Sequence, residues 1–364
     1  MRIYWIDNMT TGCGHVRTML PMQELMQRGH ACTVGYPRFS LDTGDWDAIA
    51  LGRLVLGEIR DALPEIKRRG LKVIYDIDDA LDLLEPDNPV YPHIMANIDV
   101  YYQMLRSAAL VSVTTRELAE HAHKFVPDSA RIVVLPNCIR EDEWRMREGG
   151  NAVPRIGFAG GNSHLRNLCV LLEAIRMLQR NGFGDRFEFV LFGISSAHDS
   201  FEEYYDANIS VTARAPQTIF RESLAAVRDL LAQVSHTWER SVSVQSYPER
   251  LSALNLDLGL CPIRPTDFNR FKSCLKAYEY SMVGTEVMCA RAKPYVDELP
   301  ATLFPLVAHD EKSWHNVIAD WIRGYSSSRT TAAARAQRDW VVGHKTIQRN
   351  IRLWETVFPE LIEQ

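Results

Sequence analysis

The feature that most constrains this chain is an alternation of short apolar segments with longer amphipathic ones. In the first half of the sequence the apolar segments predict strands, and a helix is predicted between each pair, for example near Leu56–Arg69. The predicted strands are Arg2–Asp7, Ala31–Tyr36, Ala48–Leu51, Lys72–Asp76, Leu110–Val113 and Ile132–Leu135. Strands that alternate with helices pair in parallel through right-handed crossovers, so we expect an open α/β sheet.

The same alternation begins again after a charged segment, Arg140–Val153, which we interpret as a linker. Arg155–Ala159 predicts a strand and Leu165–Arg180 a helix; further strands are expected at Phe187–Phe192, Val242–Val244, Leu256–Leu260, Glu286–Ala290 and Leu303–Val307. A chain of 364 residues suits two domains. The sequence therefore predicts an α/β protein with two Rossmann-like domains, 1–150 and 151–340, the first completed by about 340–364.

Two segments do not follow the alternation. Residues 195–240 are longer than a usual connection and predict one helix, Ile219–Val234, beside the aromatic residues Phe201, Tyr204, Tyr205 and Trp238. This insertion is either a surface excursion or a lid on the acceptor side of a cleft. The C-terminal segment Ala332–Leu361 predicts a helix with an apolar stripe made by Trp340, Ile347, Ile351 and Trp354.

Charge and cysteine content restrict the function classes. The 46 acidic residues against 41 basic ones leave a formal charge of −5, which disfavours a general polyanion binder, although a local basic groove stays open. Seven scattered cysteines without a C-x-x-C pair indicate reduced thiols. No signal-peptide core and no apolar run of roughly 20 residues is found, so we expect a soluble, cytoplasmic protein.

The glycine-containing turn after the first predicted strand does not fit a nicotinamide dinucleotide. Gly12-Cys13-Gly14 is followed by Arg17 where a third glycine would stand, and the next strand ends at Tyr36 instead of an acidic residue. The sequence also contains no P-loop and no G-x-S-x-G elbow. An oxidoreductase is therefore the weakest of the enzyme classes considered.

Asp76-Ile77-Asp78-Asp79 is the most acidic cluster at a predicted strand end. One interpretation is a divalent-metal site that holds a nucleotide diphosphate; the other is a solvated strand end or a helix N-cap, both of which favour Asp. The end of an inner strand lies in the crevice where open α/β sheets bind ligands, so the cluster is a candidate under either interpretation.

The strongest motif is Gly160-Gly161-Asn162-Ser163-His164-Leu165-Arg166-Asn167, at the start of the helix that follows the first strand of the second half. Glycines there let backbone N–H groups approach an anion, and the helix N-terminus adds partial positive charge. A second motif, Asn269–Lys276, precedes a helix that carries Glu279. We expect Arg166, Arg270 and Lys272 to neutralise a diphosphate and Glu279 to accept hydrogen bonds from a ribose diol.

These motifs resemble those of a large family of retaining, GT-B-fold glycosyltransferases that includes sucrose-synthase-like and bacterial polysaccharide-building enzymes. The similar segments are Arg28–Val34, Arg155–Asn167, Tyr247–Pro262 and Lys276–Gly284, with Glu279 at the second glutamate of the family's E-x₇-E pair. The chain departs from the family at Phe271, where the first glutamate would stand, and at Gly161, which replaces an arginine. The family's crevice histidine is also absent, with Asp76 or Asp78 near its place.

The resemblance implies two domains that face each other across a cleft and a C-terminal helix that crosses back to the first domain. It implies a sugar nucleotide as donor, most often UDP-sugar, transfer with retention of configuration, no metal and no other cofactor. The donor-binding residues would be Gly12, Gly14, Gly160, Gly161, Asn162, His164, Arg270, Ser273, Lys276 and Glu279. The catalytic residues would be Lys272, Arg166, Asp78 and Asp79, the two aspartates orienting the acceptor hydroxyl, with His93 as a further candidate for that role.

The acceptor stays open at this point. A glycan or lipid-linked glycan is the common theme of the family, and a hydroxylated base in nucleic acid is a minority alternative. No polybasic run indicates membrane docking, so peripheral membrane contact is also open. Two other functions remain: a sugar-nucleotide epimerase, and a non-catalytic partner subunit, which the replacement of a glutamate by Phe271 would suit.

Overall fold

A computed structural model of the protein describes residues 2–8, 11–35, 45–147, 149–194 and 218–362, and in these residues the strands form two parallel six-stranded sheets. The first sheet has the order β2-β1-β3-β4-β5-β6 and the second the order β12-β11-β10-β7-β8-β9. The strands are β1 Arg2–Ile6, β2 Ala31–Gly35, β3 Ala48–Leu51, β4 Lys72–Ile77, β5 Leu110–Val113, β6 Arg131–Val134, β7 Arg155–Ala159, β8 Glu188–Phe192, β9 Thr237–Glu239, β10 Leu258–Cys261, β11 Glu286–Ala290 and β12 Leu306–Val307. The predicted fold class, two Rossmann-like α/β units, is confirmed.

Helices connect the strands and cover both sheets. They are α1 Leu20–Gln27, α2 Gly57–Arg68, α3 Tyr91–Ala96, α4 Ile98–Ser107, α5 Arg116–Ala122, α6 Leu165–Leu178, α7 Thr218–Leu231, α8 Tyr247–Ala253, α9 Asp267–Arg270, α10 Leu275–Met282, α11 Lys293–Glu298, α12 Glu311–Arg323, α13 Ser327–His344 and α14 Ile347–Ile362. Helical turns also precede α1 (Gly12–Gly14 and His15–Met19), follow β4 (Leu81–Leu83), lie in the linker (Glu141–Glu143), precede α6 (Asn162–His164) and follow it (Gln179–Phe183 and Gly184–Arg186).

The periodicity of the sequence explains these elements. Every residue of β3 and of β11 is buried, as expected for inner strands covered by helices on both faces. Helix α2 buries Ile59, Leu63 and Ile66, which share one face at helical spacing. Two helices are followed by glycines with positive φ, Gly29 at 90° and Gly70 at 72°, a backbone conformation that ends a helix with little strain only when the residue has no side chain.

Three predicted elements differ in the structure. The strand expected at Val242–Val244 is absent, and β9 lies earlier, at Thr237–Glu239, paired with β8. The last strand is only Leu306–Val307. Of the predicted insertion, residues 195–217, with Phe201, Tyr204 and Tyr205, lie outside the described residues, as does Tyr36.

The C-terminal segment is two helices, α13 and α14, where the sequence predicts one. Between them the backbone pairs with the linker: Ile139 donates to the Lys345 carbonyl at 3.0 Å and Ile347 donates to the Ile139 carbonyl at 2.8 Å. In a continuous helix the Lys345 carbonyl and the Ile347 N–H would form hydrogen bonds within the helix. Because both groups pair with Ile139 instead, the helix ends there.

The final helix α14 packs on the first sheet although the chain reaches it from the second half. Ile347, Ile351 and Trp354 are buried in a core that they share with Ile3 and Trp5 of β1. The indole rings of Trp5 and Trp354 lie 6.2 Å apart. The expectation that the last helix crosses back to the first unit is thus confirmed.

We predict that Trp354→Ala destabilises the protein by about 3–5 kcal/mol, because it removes a buried indole and leaves a cavity between α14 and β1. Leu353→Ala is the matched control, since Leu353 lies on the same helix with 43% of its surface exposed. Denaturant unfolding of the two variants is the measurement. Equal midpoints for both would contradict the role given to α14.

Candidate functional site

A cleft of about 350 Å³ lies between the two halves at the carboxyl ends of their strands. Three parts of the chain form its walls. The second half contributes Gly160, Gly161, Phe192, Gly193, Ser241, Val242, Val244, Tyr247, Pro248, Lys276 and Glu279; the first half contributes Gly12, His15, Val16 and Leu20; and the segment between them contributes Ile139, Glu143 and Trp144. Five of the predicted donor-binding residues, Gly12, Gly160, Gly161, Lys276 and Glu279, are therefore brought together here.

The turn after β7 brings backbone close to backbone. The Gly160 N–H donates to the Phe192 carbonyl at 2.9 Å. Gly193 has φ +90°, and a Cβ on it would lie 2.9 Å from the Gly160 oxygen, so this approach requires glycine. A Cβ on Gly161 would meet nothing within 4 Å. The turn is thus rigid on its inner side and open toward the cleft.

Lys276 holds a positive charge beside this turn. Its ammonium donates to the Ala159 carbonyl and lies 5.6 Å from the centre of the Phe158 ring. It is also 3.3 Å from where a Cβ of Gly160 would be. Because an ammonium has three donor hydrogens, Lys276 can bind an anion at the turn while it keeps its carbonyl partner.

Glu279 lies one helical turn after Lys276 on α10, so both side chains reach the same cleft. The Tyr247 hydroxyl donates to Glu279 Oε2 at 3.0 Å. Burial raises the pKa of Glu279, while the Lys276 charge and the Tyr247 hydrogen bond oppose that shift. Tyr247 in turn stacks on Phe192, with ring centres 5.6 Å apart. The Tyr247 hydroxyl therefore holds the Glu279 carboxylate, and the stacked rings of Tyr247 and Phe192 shield one side of it from water.

His164 lies near the same turn and is surrounded by positive charge. Burial, followed by the charges of Lys276 and Lys272, holds its pKa well below the usual value for histidine. Its Nδ1 lies 3.2 Å from the Asn167 side-chain amide. His164 is therefore neutral at physiological pH and takes part in hydrogen bonding without adding a charge.

The predicted catalytic aspartates form an ionic cluster that joins the halves. Lys272 Nζ binds Asp79 Oδ1 at 3.1 Å across the domain boundary. Arg53 binds Asp79 at 2.8 Å and Asp78 at 3.2 Å. The charges of Lys272 and Arg53 hold the pKa of Asp79 below its usual value against the effect of burial. Asp76, the third acid of the motif, is engaged by the buried guanidinium of Arg17.

The three cations expected to converge on a diphosphate do not converge, which corrects that prediction. Arg166 binds Ser223 at 2.9 Å and lies 3.4 Å from Asp87, in a separate small cavity of the domain boundary. Arg270 is exposed and lies over the Phe271 ring. The reason is helical geometry: Arg166 is the second residue of α6, on the side that faces α7 and the first half, and not the side that faces the turn.

The remaining predicted residues lie beside the cleft and not on its surface. Ser273 accepts a hydrogen bond from Asn137 at 2.8 Å. Gly14 is buried in the first helical turn, and its N–H donates to the Thr11 hydroxyl at 3.0 Å. Asn162 is buried in the turn that leads into α6. These residues support the walls of the cleft.

Among the cleft residues that the sequence analysis did not predict are His15, Glu143, Trp144 and Tyr247. His15 Nε2 lies 3.0 Å from Glu143 Oε2, and the Trp144 ring meets Tyr247 edge-on with centres 6.2 Å apart. Each lies outside the glycine and lysine motifs. For Tyr247 the sequence did contain a signal, because this residue begins the segment Tyr247–Pro262 that resembles the glycosyltransferase family.

Within the described ranges, no group of three His, Cys, Asp or Glu residues has the arrangement of a metal site. The same residues include no helix that is long and apolar enough to span a membrane.

Comparison with known proteins gives a likeness of structure. No protein-family model and no curated protein sequence matches the chain. Sucrose-phosphate synthase from Thermosynechococcus elongatus is similar over 100% of this chain and 99% of its own, with a TM-score of 0.69 and 12% identity. HepE of Anabaena, in complex with UDP and glucose, is similar over 99% and 100%, with a TM-score of 0.66 and 12% identity. A glycosyltransferase from Rickettsia africae is similar over 100% and 99%, with a TM-score of 0.66 and 11% identity.

These likenesses extend along both halves of the chain. The protein therefore has the GT-B fold that the sequence resemblance implies, with two Rossmann-like units and a cleft between them.

We predict that Glu279→Gln stabilises the ligand-free protein at neutral pH and that this gain disappears as the pH falls. A raised carboxyl pKa means that the folded state binds the proton more tightly than the unfolded state does, so this group favours folding at low pH and the contribution is lost as the pH rises through the folded pKa. Glutamine keeps an acceptor for Tyr247 without a charge.

The free energy of unfolding, measured against pH for Glu279→Gln and the wild type, checks this. Glu249→Gln, at an exposed position of α8, is the control and should give no comparable difference. A glutamine variant at position 279 that is less stable than the wild type at neutral pH would contradict the prediction.

Proposed function

We propose that the protein is a glycosyltransferase that moves a sugar from a nucleotide-diphosphate donor, UDP-sugar, to an acceptor hydroxyl. The observation that carries the proposal is the cleft in which the glycine turn Gly160–Gly161, the Lys276 ammonium and the Glu279 carboxylate come together. HepE, which has the same fold, is described in complex with UDP and glucose. The fold alone would not be enough, because one fold hosts many functions.

The parts of the cleft suit the parts of such a donor. The open face of Gly161 lets a diphosphate approach the backbone, and Lys276 supplies positive charge next to it. Glu279, one turn away, is placed to accept hydrogen bonds from a ribose diol. The aromatic wall made by Phe192 and Tyr247 is apolar and rigid, as the wall of a nucleoside site requires.

Catalysis would come mainly from electrostatic stabilisation of the leaving diphosphate by Lys276, Lys272 and the backbone at the open glycines Gly12 and Gly161. We propose transfer with retention of configuration and without a metal, in line with the resemblance. Asp78 and Asp79, on the first half, are our candidates to orient the acceptor hydroxyl. We further propose a cytoplasmic protein whose acceptor is a glycan or lipid-linked glycan, with a hydroxylated nucleic-acid base as the alternative acceptor.

We expect UDP to raise the melting temperature, and to do so equally with and without EDTA. A ligand at about 100 times its Kd adds about 2.7 kcal/mol to stability, which a thermal-shift panel of UDP, GDP, ADP, CMP and NAD resolves easily. In Lys276→Ala, UDP should raise the melting temperature by only a small part of the wild-type increase. A shift with GDP alone would indicate a GDP-sugar as the donor, and a shift that EDTA abolishes would indicate a metal-dependent enzyme.

Lys272→Ala should lower turnover of the sugar nucleotide at least about 100-fold, because it removes a positive charge beside the reacting diphosphate. Asp79 keeps Arg53 as its partner in this variant, so the fold should be retained. Arg270→Ala is the matched control, two residues away and exposed. Near-normal turnover by Lys272→Ala would remove Lys272 from the mechanism.

A non-catalytic partner subunit is the second candidate, and one observation favours it. Phe271, where the family has a glutamate, is buried in the core of the first half, with its ring centre 4.9 Å from that of His121. That side chain therefore packs between the halves and supplies no carboxylate to a sugar. Absence of any shift in the nucleotide panel would favour this candidate over the enzyme.

A further inference from the structure

The wall of the cleft opposite the glycine turn presents an imidazole that the proposed donor site does not yet use. His15 lies in the helical stretch that begins at Gly12, and its Nε2 is 3.0 Å from Glu143 Oε2. The two side chains are 18% and 26% exposed, and both line the cleft. The pair is therefore accessible to a ligand in the cleft that Lys276 also lines.

Glu143 is held firmly in place. It ends the short helical turn Glu141–Glu143, and Glu141 at the start of that turn meets Arg338 of α13 at 3.4 Å. Arg140, just before the turn, binds Glu24 of α1 at 3.2 Å. The segment between the domains is thus fixed to both halves just before Glu143, so the carboxylate has a defined position toward His15.

The chemistry of the pair suits an anion. A carboxylate only accepts, so Nε2 of His15 must carry the hydrogen that Glu143 receives. The second ring nitrogen, Nδ1, becomes a donor when the ring is doubly protonated. In the doubly protonated ring, Nδ1 can therefore donate a charge-assisted hydrogen bond to a phosphate oxygen while Nε2 keeps Glu143 as its partner.

We infer that His15 binds the donor diphosphate from the first half, opposite Lys276, and that Glu143 is the positioning residue that orients its ring. The inference rests on the proposed function, which it deepens. His15 and Glu279 line the same cleft, so the imidazole lies on the wall of the proposed donor site. The diphosphate would thereby contact both halves of the molecule and hold them in one arrangement.

The chain offers a matched control for this pair. His30 Nε2 lies 3.7 Å from Glu355 Oε1, which gives a second histidine–glutamate pair on the same half. Neither residue lines the cleft. His30→Gln therefore removes the same chemistry away from the proposed site.

The experiment compares the wild type with His15→Gln, Glu143→Gln and His30→Gln by calorimetric titration with UDP and with inorganic pyrophosphate, and by NMR titration with uridine. We expect His15→Gln to weaken binding of UDP and pyrophosphate about tenfold or more, the size of a lost charge-assisted hydrogen bond. Uridine, which has no phosphate, should bind as it does to the wild type. Glu143→Gln should weaken UDP binding less than His15→Gln does, and His30→Gln should leave the affinity for UDP unchanged.

The outcomes separate this inference from the proposed function. UDP binding by His15→Gln within twofold of the wild type overturns the inference and leaves the glycosyltransferase proposal standing. If the wild type binds pyrophosphate but not UDP, and His15→Gln loses the pyrophosphate binding, the proposed donor base is rejected and the role of His15 is supported. Binding of neither ligand by the wild type rejects both. Equal weakening of uridine would show a general distortion of the cleft and would also overturn the inference.

Discussion

The buried ion pair between Arg17 and Asp76 is the interaction on which the arrangement of the first half depends. Both Asp76 oxygens accept from the guanidinium, at 2.5 and 2.9 Å, and Ser112 of β5 donates to the same carboxylate. The guanidinium also donates to Asn137 Oδ1 at the end of the sheet and lies over the Trp354 ring of α14. Removing one partner of such a pair leaves an uncompensated buried charge, at a cost of about 3–5 kcal/mol. The pair therefore connects the helical turn His15–Met19, the inner strands β4 and β5, the segment after β6 and the final helix.

The boundary between the halves is organised by charge. Acids of the first half meet bases of the second at several places, among them Lys272 with Asp79, Arg264 with Glu85, Arg166 with Asp87 and Lys293 with Glu117. Phe268 and Phe271 of the second half also enter the core of the first. This pattern specifies one relative arrangement of the two units, because a displaced boundary would leave partly buried charges unpaired. The cleft, which both halves line, has its shape because of that arrangement.

The same boundary explains why some predicted site residues are not at the site. Arg166 is basic and follows the motif of a donor-binding half, so a diphosphate is its natural partner on sequence grounds. In the fold, Asp87 approaches it from the opposite half. Lys276 remains at the glycine turn, where its ammonium donates to a carbonyl and forms no salt bridge among the described residues. Arg166 is therefore paired across the boundary, whereas the Lys276 ammonium stays at the turn where it can bind an anion.

The sequence by itself determined the two α/β units and placed the ends of most strands to within a few residues. It also determined the two local motifs that enter the cleft, which are the glycine turn and the helix with Lys276 and Glu279. These follow from the periodicity of apolar residues and from glycine chemistry, which are local properties. Only the tertiary structure decided that α14 is separate from α13, that Arg17 takes Asp76, and that His15, Glu143 and Tyr247 join the cleft. Those outcomes depend on pairing between residues more than 30 positions apart, such as Tyr247 with Glu279 or His15 with Glu143. No local pattern records such a pairing, because the partners become neighbours only when both sheets and the linker are in place.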